Sequence, residues 1–166
     1  LRGYGIANIP PEESSPFRAG RKSRMPAVID SNLLYGWRNK NDELHQPGKD
    51  IVEAASSQQL PKLHIPHVFF QETAKHVHNS LGYQKCIRTI DALIADPQFS
   101  VIPLEDGDLR RGRALFRRNN ELELPDAIAV AYMRREQIEY IYSCDDDFDR
   151  FDDLTRVNSA INPHSP

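Results

Sequence analysis

Apolar residues along this chain come in short blocks separated by amphipathic stretches, the pattern of a polypeptide that alternates strands and helices. Ala27-Val28-Ile29 is an apolar triplet that ends at Asp30 and predicts a first strand, with a helical stretch after it. A polar loop is expected around Gln46-Pro47-Gly48, then a helix over roughly residues 49–60. Leu63 to Ile65 predicts a second strand, and Pro66 opens a helix carrying Val68, Phe69, Thr73 and Val77. Residues 82–95 set Ile87, Ile90, Leu93 and Ile94 at helical spacing and stop at Asp96-Pro97. Val101-Ile102 predicts a strand and 106–119 a helix. Leu124-Pro125-Asp126 begins the most apolar helix, with Pro125 suited to its first turn, and Ile138 to Tyr142 predicts a further strand. There is no internal repeat. Alternation of this kind implies an α/β fold, a mostly parallel sheet flanked by helices.

Composition agrees with a single globular domain. The chain has 166 residues, of which 39% are hydrophobic, enough to build one core. The longest apolar run, Ala127 to Met133, is seven residues, far short of the roughly 20 of a membrane span. Residues 1–24 are rich in Pro, Ser, Gly and Arg, show no periodicity and are expected to be a basic N-terminal tail. Met25 directly precedes the first strand and is a candidate native start, with the residues before it an extension. The folded domain is expected over 25–158, with 159–166 a C-terminal tail. Five basic and two acidic side chains give the tail a local +3, which leaves −6 on the rest of a chain of net charge −3. An acidic core does not attract nucleic acid by bulk charge, so any such binding must be local. Cys86 and Cys144 form neither a disulfide framework nor a zinc spacing. No leader pattern opens the chain, so a cytoplasmic location is expected.

The chemistry lies in the carboxylates. In an open parallel sheet the functional crevice lies beyond the carboxyl ends of the strands. Asp30 falls there after the first strand and Asp145 after the strand ending at Tyr142. Glu72 and Asp126 are expected in the first turns of helices that follow Pro66 and Pro125. A helix-start carboxylate such as Asp126 is favoured by the macrodipole alone, yet Ala129 and Val130 make its face apolar. Gathered carboxylates repel one another unless a cation offsets them. Oxygen donors without Cys or His suit Mg²⁺ or Mn²⁺, and such ions promote in-line attack of water on a phosphodiester.

The segments AVIDSNLLYG (27–36) and LPDAIAVAYMRREQIEYIYSCDDDFDRF (124–151) resemble PIN-domain ribonucleases, and most of all the VapC-type toxins of toxin–antitoxin pairs. The resemblance covers about residues 25–157. It matches Asp30 with Asn32 two residues on, Glu72 in VFFQET, Asp126 in Asp126-Ala127-Ile128-Ala129, and Asp145 in the run Ser143, Asp145, Asp147, Phe148. It implies a three-layer α/β/α sandwich and a Mg²⁺- or Mn²⁺-dependent endoribonuclease that hydrolyses RNA. Asp30, Glu72, Asp126 and Asp145 would be its catalytic and metal-binding acids, with Asn32 and Ser143 orienting them. Asp145 is favoured as the direct ligand and Asp147 as the next. Asp147 and Asp149 each either add a ligand or sit in a solvated acidic turn. The resemblance further implies an RNA substrate, a cognate antitoxin and a homodimer, with no membrane partner. Two features depart from the toxin pattern, the 24 residues ahead of Met25 and the polar loop 38–50 with Arg38, Lys40 and Asp42.

Other candidates are weaker. Arg110, Arg111, Arg113, Arg117 and Arg118 crowd one sector of a helix, opposite Leu109, Gly112, Leu115 and Phe116. A solvated face is the simpler reading, and an RNA phosphate clamp through Arg110, Arg113 and Arg117 the functional one. His76 and His78 are two apart on a helix and point about 200° away from each other, so they cannot share a zinc ion. Cys144 lies in an acidic turn that raises a thiol pKa, a poor setting for a nucleophile. The stripe over 82–95 suits core or a dimer face. Two alternative functions stand beside the nuclease. A haloacid-dehalogenase-type phosphatase would use Asp30 as nucleophile, but Asn32 stands where those enzymes usually place a second Asp. A non-catalytic PIN-like binding module would be expected to lack one of the acids, and all four candidates are present.

Overall fold

The structure is a computed structural model and describes residues 25–165; the expected N-terminal tail lies outside the described residues. Five strands form one sheet: β1 (Ala27–Ile29), β2 (Leu63–Pro66), β3 (Phe99–Ile102), β4 (Tyr140–Tyr142) and β5 (Thr155–Val157). Six α-helices run between them: α1 (Ser31–Arg38), α2 (His45–Ser56), α3 (His67–Leu81), α4 (Tyr83–Ala95), α5 (Asp106–Phe116) and α6 (Leu124–Glu136). A 3₁₀ turn, Asp146–Arg150, follows β4.

The strand order is β3-β2-β1-β4-β5, and every neighbouring pair is parallel. The chain therefore winds outward from β1 through β2 to β3, then returns to the other side of β1 for β4 and β5. The point of reversal lies between β1 and β4, which pair Val28 with Ile141 and Ile29 with Tyr142. Parallel strands need crossovers, and helices supply them. Consecutive residues of a strand face opposite sides, yet Ala27, Val28 and Ile29 are all fully buried, so both faces of the sheet are covered. The result is the expected α/β/α sandwich.

The most apolar helix sits where its composition demands. Asp126 to Met133 of α6 are all buried, an unbroken run with no solvent face. It packs closely on α5 through Gly112, where a Cβ would stand 2.6 Å from Ile128 Cγ1. Beside this contact, Asp108 of α5 is fully buried and takes hydrogen bonds from Arg135 Nε (2.9 Å) and Nη2 (3.0 Å), from Arg111 (3.3 Å) and from the Glu105 backbone N–H (3.0 Å).

Three elements differ from the sequence reading. The expected loop at Gln46-Pro47-Gly48 is the first turn of α2, which starts at His45 and ends at Ser56. Pro47 is tolerated there because a first-turn N–H has no helical acceptor, and Gly48 packs against α1 where a Cβ would lie 2.3 Å from the Leu33 carbonyl oxygen. The helix expected to reach 119 ends at Phe116, with Asn119 donating from its side chain to the Leu115 carbonyl at 2.9 Å. β5 was not anticipated. Beyond it, the Tyr142 hydroxyl donates to the Ile161 carbonyl at 2.7 Å and the His164 ring stands edge-on to Tyr140.

Candidate functional site: an acidic cluster at the sheet switch point

Asp30 follows β1, and Ser143 and Asp145 follow β4, so the reversal of strand order brings them together. The Asp30 backbone N–H continues the ladder to the Tyr142 carbonyl (3.0 Å), which fixes where its side chain begins. Asp30 is then the N-cap of α1 and accepts from the Asn32 backbone N–H at 3.3 Å. It is Asn32's main chain, not its exposed side chain, that orients this carboxylate. Asp30 Oδ2 also accepts from the Ser143 hydroxyl at 2.7 Å, and Ser143 Oγ accepts from the Asp145 backbone N–H at 2.9 Å. Asp145 caps the 3₁₀ turn in the same way, taking the Asp147 N–H at 2.9 Å.

Glu72 reaches the cluster from the second turn of α3. The buried Ser31 hydroxyl lies 3.3 Å from Asp30 Oδ1 and 3.2 Å from Glu72 Oε2. A hydroxyl has one proton, so it satisfies one of these carboxylates at a time. Asp126, at the start of α6, completes the group, and no donor reaches its carboxylate among the described residues.

The electrostatics follow from this crowding. Burial pushes the Asp126 carboxyl up, and Asp30, Glu72, Asp145 and Glu123 add to it, to about 8. Burial likewise raises Asp30, against hydrogen bonds from Ser143 and Asn32 that lower it. Glu72 is raised by burial, with Ser31 opposing and Glu123 and Asp30 reinforcing. Four carboxyls from four elements thus interact in one place, and two raised carboxyls feel a fifth, Glu123. A divalent cation relieves this repulsion, and the donors are hard oxygens, so the residues present fit Mg²⁺ or Mn²⁺.

Ser31 and Glu123 were absent from the sequence-based candidates. Ser31 looks like an ordinary first-turn serine, and Glu123 an ordinary helix-flanking acid; only the fold brings them to the cluster.

The acidic turn divides. Carboxylate oxygens of Asp145, Asp146 and Asp147 lie within 4.8 Å of one another, but Asp147 is already paired with Arg150 Nη2. Asp149 forms a two-pronged ion pair with Arg156, at 2.8 and 2.6 Å, on the surface. Cys144, beside the cluster, has its thiol raised chiefly by burial and further by Asp30, against Arg156. Arg110 and Arg113 of α5 and Arg117 just past its end are exposed, and Arg111 pairs with Asp108. Four of the histidines are occupied elsewhere: His64 binds Tyr132, while His67, His76 and His78 lie against Phe70, Tyr35 and Tyr83.

A doubly covered parallel sheet with acids gathered at its switch point defines an α/β protein of the acid-cluster type. The model of the PIN domain matches residues 27–154, and the chain belongs to that family. No curated protein matches it by sequence. Among solved structures it is similar to VapC20 of Mycobacterium tuberculosis, a sarcin-ricin loop cleaving toxin, at 17% identity and a TM-score of 0.65 over 75% of this chain and 93% of that one. It is also similar to a toxin–antitoxin complex from Klebsiella pneumoniae, at 22% identity and a TM-score of 0.57 over 78% and 95%. VapBC-1 of nontypeable Haemophilus influenzae shows 18% identity and a TM-score of 0.58 over 81% and 98%. The shared fold spans nearly the whole of each relative.

Proposed function

We propose that the protein is a metal-dependent endoribonuclease, the toxin of a toxin–antitoxin pair, with its nuclease unit in residues 25–158. The observation that carries this reading is that burial raises Asp126 to about 8 with Asp30, Glu72, Asp145 and Glu123 each adding to it, while Ser31 lies within 3.3 Å of both Asp30 and Glu72. The similarity to VapC20, described as a sarcin-ricin loop cleaving toxin, and to two toxin–antitoxin assemblies supports the substrate class and the partner. A homodimer and a cytoplasmic location belong to the same reading; among the described residues no helix is long and apolar enough to cross a membrane.

Asp30, Glu72, Asp126 and Asp145 would hold one or two Mg²⁺ or Mn²⁺ ions, with Asp147 an additional ligand if Arg150 releases it. When bound, such an ion supplies Lewis acidity and neutralises charge at the phosphate. Ser143 fixes Asp30, and the Ser31 hydroxyl, within reach of Asp30 and Glu72, donates to one of them at a time. Hydrolysis adds water across one phosphodiester: a new P–O bond forms from water, the bond to the leaving ribose oxygen breaks, and that oxygen takes a proton. Without a cation Asp126 holds a proton near neutral pH, where an ordinary aspartate does not, and a bound ion would displace it.

The test is cleavage of labelled total RNA with Mg²⁺, Mn²⁺ or EDTA, beside Asp126→Asn. Cutting that needs metal and vanishes in the variant establishes the nuclease. Equal cutting by Asp126→Asn would refute the site.

A further inference from the structure

The acid cluster repels a polyanion, so a nuclease built on it needs attraction from elsewhere. α1 carries Asp30 at its N-cap and Arg38 in its last turn, about 12 Å away along the axis at 1.5 Å per residue. At that far end a cleft of about 200 Å³ is lined by Trp37, His45, the cations Arg38, Lys40, Lys49 and Lys85, and one acid, Glu53. The cations come from three helices and one loop: Arg38 from α1, Lys40 just after it, Lys49 from α2 and Lys85 from α4. Arg88 stands one turn beyond Lys85 on the same face of α4.

These charges are poorly compensated. Lys49 has Glu53 at 3.8 Å. Among the described residues, no carboxylate pairs with Arg38, Lys40, Lys85 or Arg88 within 4.0 Å; the same holds for Arg110, Arg113, Arg117 and Arg118, whereas Arg111, Arg134, Arg135, Arg150 and Arg156 have acidic partners. Nearby Asp42 and Asp50 are turned to local bonds, with the Leu44 N–H and Gln46. Burial lowers Arg38, with Arg88 adding to it, and Lys85 is lowered by burial and by Arg38, Arg88 and Lys40. The Arg38 guanidinium is stacked 4.6 Å over the Trp37 ring, and its buried Nε has no acceptor. A stacked, half-buried arginine is pre-organised for a phosphate and has less side-chain freedom to lose on binding.

We propose that Arg38, Lys40, Lys85 and Arg88 form a phosphate-binding patch that holds the backbone of single-stranded RNA as it runs along α1 into the acid cluster. The proposal rests on the nuclease reading for the identity of the polyanion. The α5 arginines suggested by sequence lie on another helix and are a separate alternative.

The experiment measures binding of a fluorescein-labelled single-stranded oligoribonucleotide in EDTA, over a series of NaCl concentrations. It compares the parent with Lys40→Ala/Lys85→Ala/Arg88→Ala and with Arg110→Ala/Arg113→Ala/Arg117→Ala. Each lost phosphate contact on a single strand lowers the slope of log K against log salt by about 0.7. The patch variant should therefore lose about 2 from the slope and bind about tenfold or more weakly, with unchanged far-UV circular dichroism and Mn²⁺ affinity. An unchanged slope overturns the proposal, as does a slope lost only in the α5 variant. Binding of poly-glutamate that depends on the patch while RNA binding does not would also overturn it, in favour of an acidic protein partner. EDTA prevents metal-dependent cutting, so this readout is independent of the nuclease reading. A protein that binds RNA through the patch yet cuts nothing with Mg²⁺ or Mn²⁺ would refute that reading and leave the patch standing.

Discussion

The Ser143 hydroxyl donates to Asp30 Oδ2 at 2.7 Å, joining positions 113 residues apart across the point where the sheet reverses its strand order. The same oxygen accepts from the Asp145 N–H at 2.9 Å, so the serine donates to one acid and accepts from the backbone of the other. One serine thus couples the acid after β1 to the acid after β4.

Ser143→Ala should weaken metal binding and activity without unfolding the domain. Burial already raises Asp30, and Ser143 is foremost among the groups opposing it. Its removal leaves a more easily protonated, less well oriented ligand, and loss of such a supporting bond typically costs about 10–100-fold in metal affinity or activity. Calorimetric Mn²⁺ titration reads the first, RNA cleavage the second. Ser143→Thr keeps the hydroxyl and should recover most of both; a parent-like affinity in Ser143→Ala would show that the bond is incidental.

The placement of Asp30, Asp126 and Asp145 was legible in the sequence because each is tied to a strong local signal, an apolar strand end or an apolar helix start. The α/β alternation was legible for the same reason. α2 was misplaced at its start because Pro47-Gly48 carries turn chemistry, and only the close approach of Leu33 shows why a glycine belongs inside that helix. β5 escaped because Thr155–Val157 is three residues long with little apolar content, and its pairing with β4 is a tertiary fact. Ser31 and Glu123 escaped because nothing local marks a side chain whose partners come from other elements.

Arg135→Ala should be among the most destabilising single changes outside the site. Burial works against Asp108, but the Arg135 guanidinium, with the Glu105 N–H and Arg111, holds it below the usual carboxylate range. Truncating Arg135 leaves a fully buried carboxylate with only the weaker Arg111 contact and one backbone donor. Breaking a buried pair typically costs about 3–5 kcal/mol, and each kcal/mol lowers Tm by about 2–4 °C in a domain of this size. Since the folded carboxyl is depressed, the pair stabilises above the unfolded pKa and loses its effect as pH falls through the folded one. Thermal melts of both proteins at pH 7 and at pH 3 check this: the gap should be smaller at pH 3, below the unfolded pKa of 3.8, than at pH 7.

His64 should contribute an acid-sensitive limb to stability. Its Nδ1 lies 2.6 Å from the Tyr132 hydroxyl, and burial, helped by Lys62, lowers it from 6.5 to about 4. The unfolded chain binds a proton at His64 between those values and the folded chain does not, so stability falls as pH drops from 6.5 towards 4. An NMR titration of the His64 ring should give a midpoint near 4. A midpoint near 6.5 would mean the ring is solvated and the Tyr132 contact absent.

Asp126 carries the opposite sign. Its folded pKa of about 8, against 3.8 for a free aspartate, means that metal-free protein holds a proton there which the unfolded chain releases. In that window the metal-free protein loses stability as pH rises, because the carboxyl must ionise beside Asp30, Glu72, Asp145 and Glu123. A divalent ion has to displace the same proton, so Mn²⁺ should bind about tenfold more tightly per pH unit between pH 6 and 7 and release about one proton. Asp126→Asn removes the repulsion together with the ligand. Relative to the parent at pH 8 it should raise the metal-free Tm by several degrees, at about 2–4 °C per kcal/mol relieved. It should also abolish the Mn²⁺-induced rise in Tm that accompanies binding. Melts in EDTA and in Mn²⁺ at pH 6, 7 and 8 test all of these. A metal-free Asp126→Asn protein that melts below the parent at pH 8, or a parent Mn²⁺ affinity that is flat with pH, would show that Asp126 does not carry the proton the cation displaces.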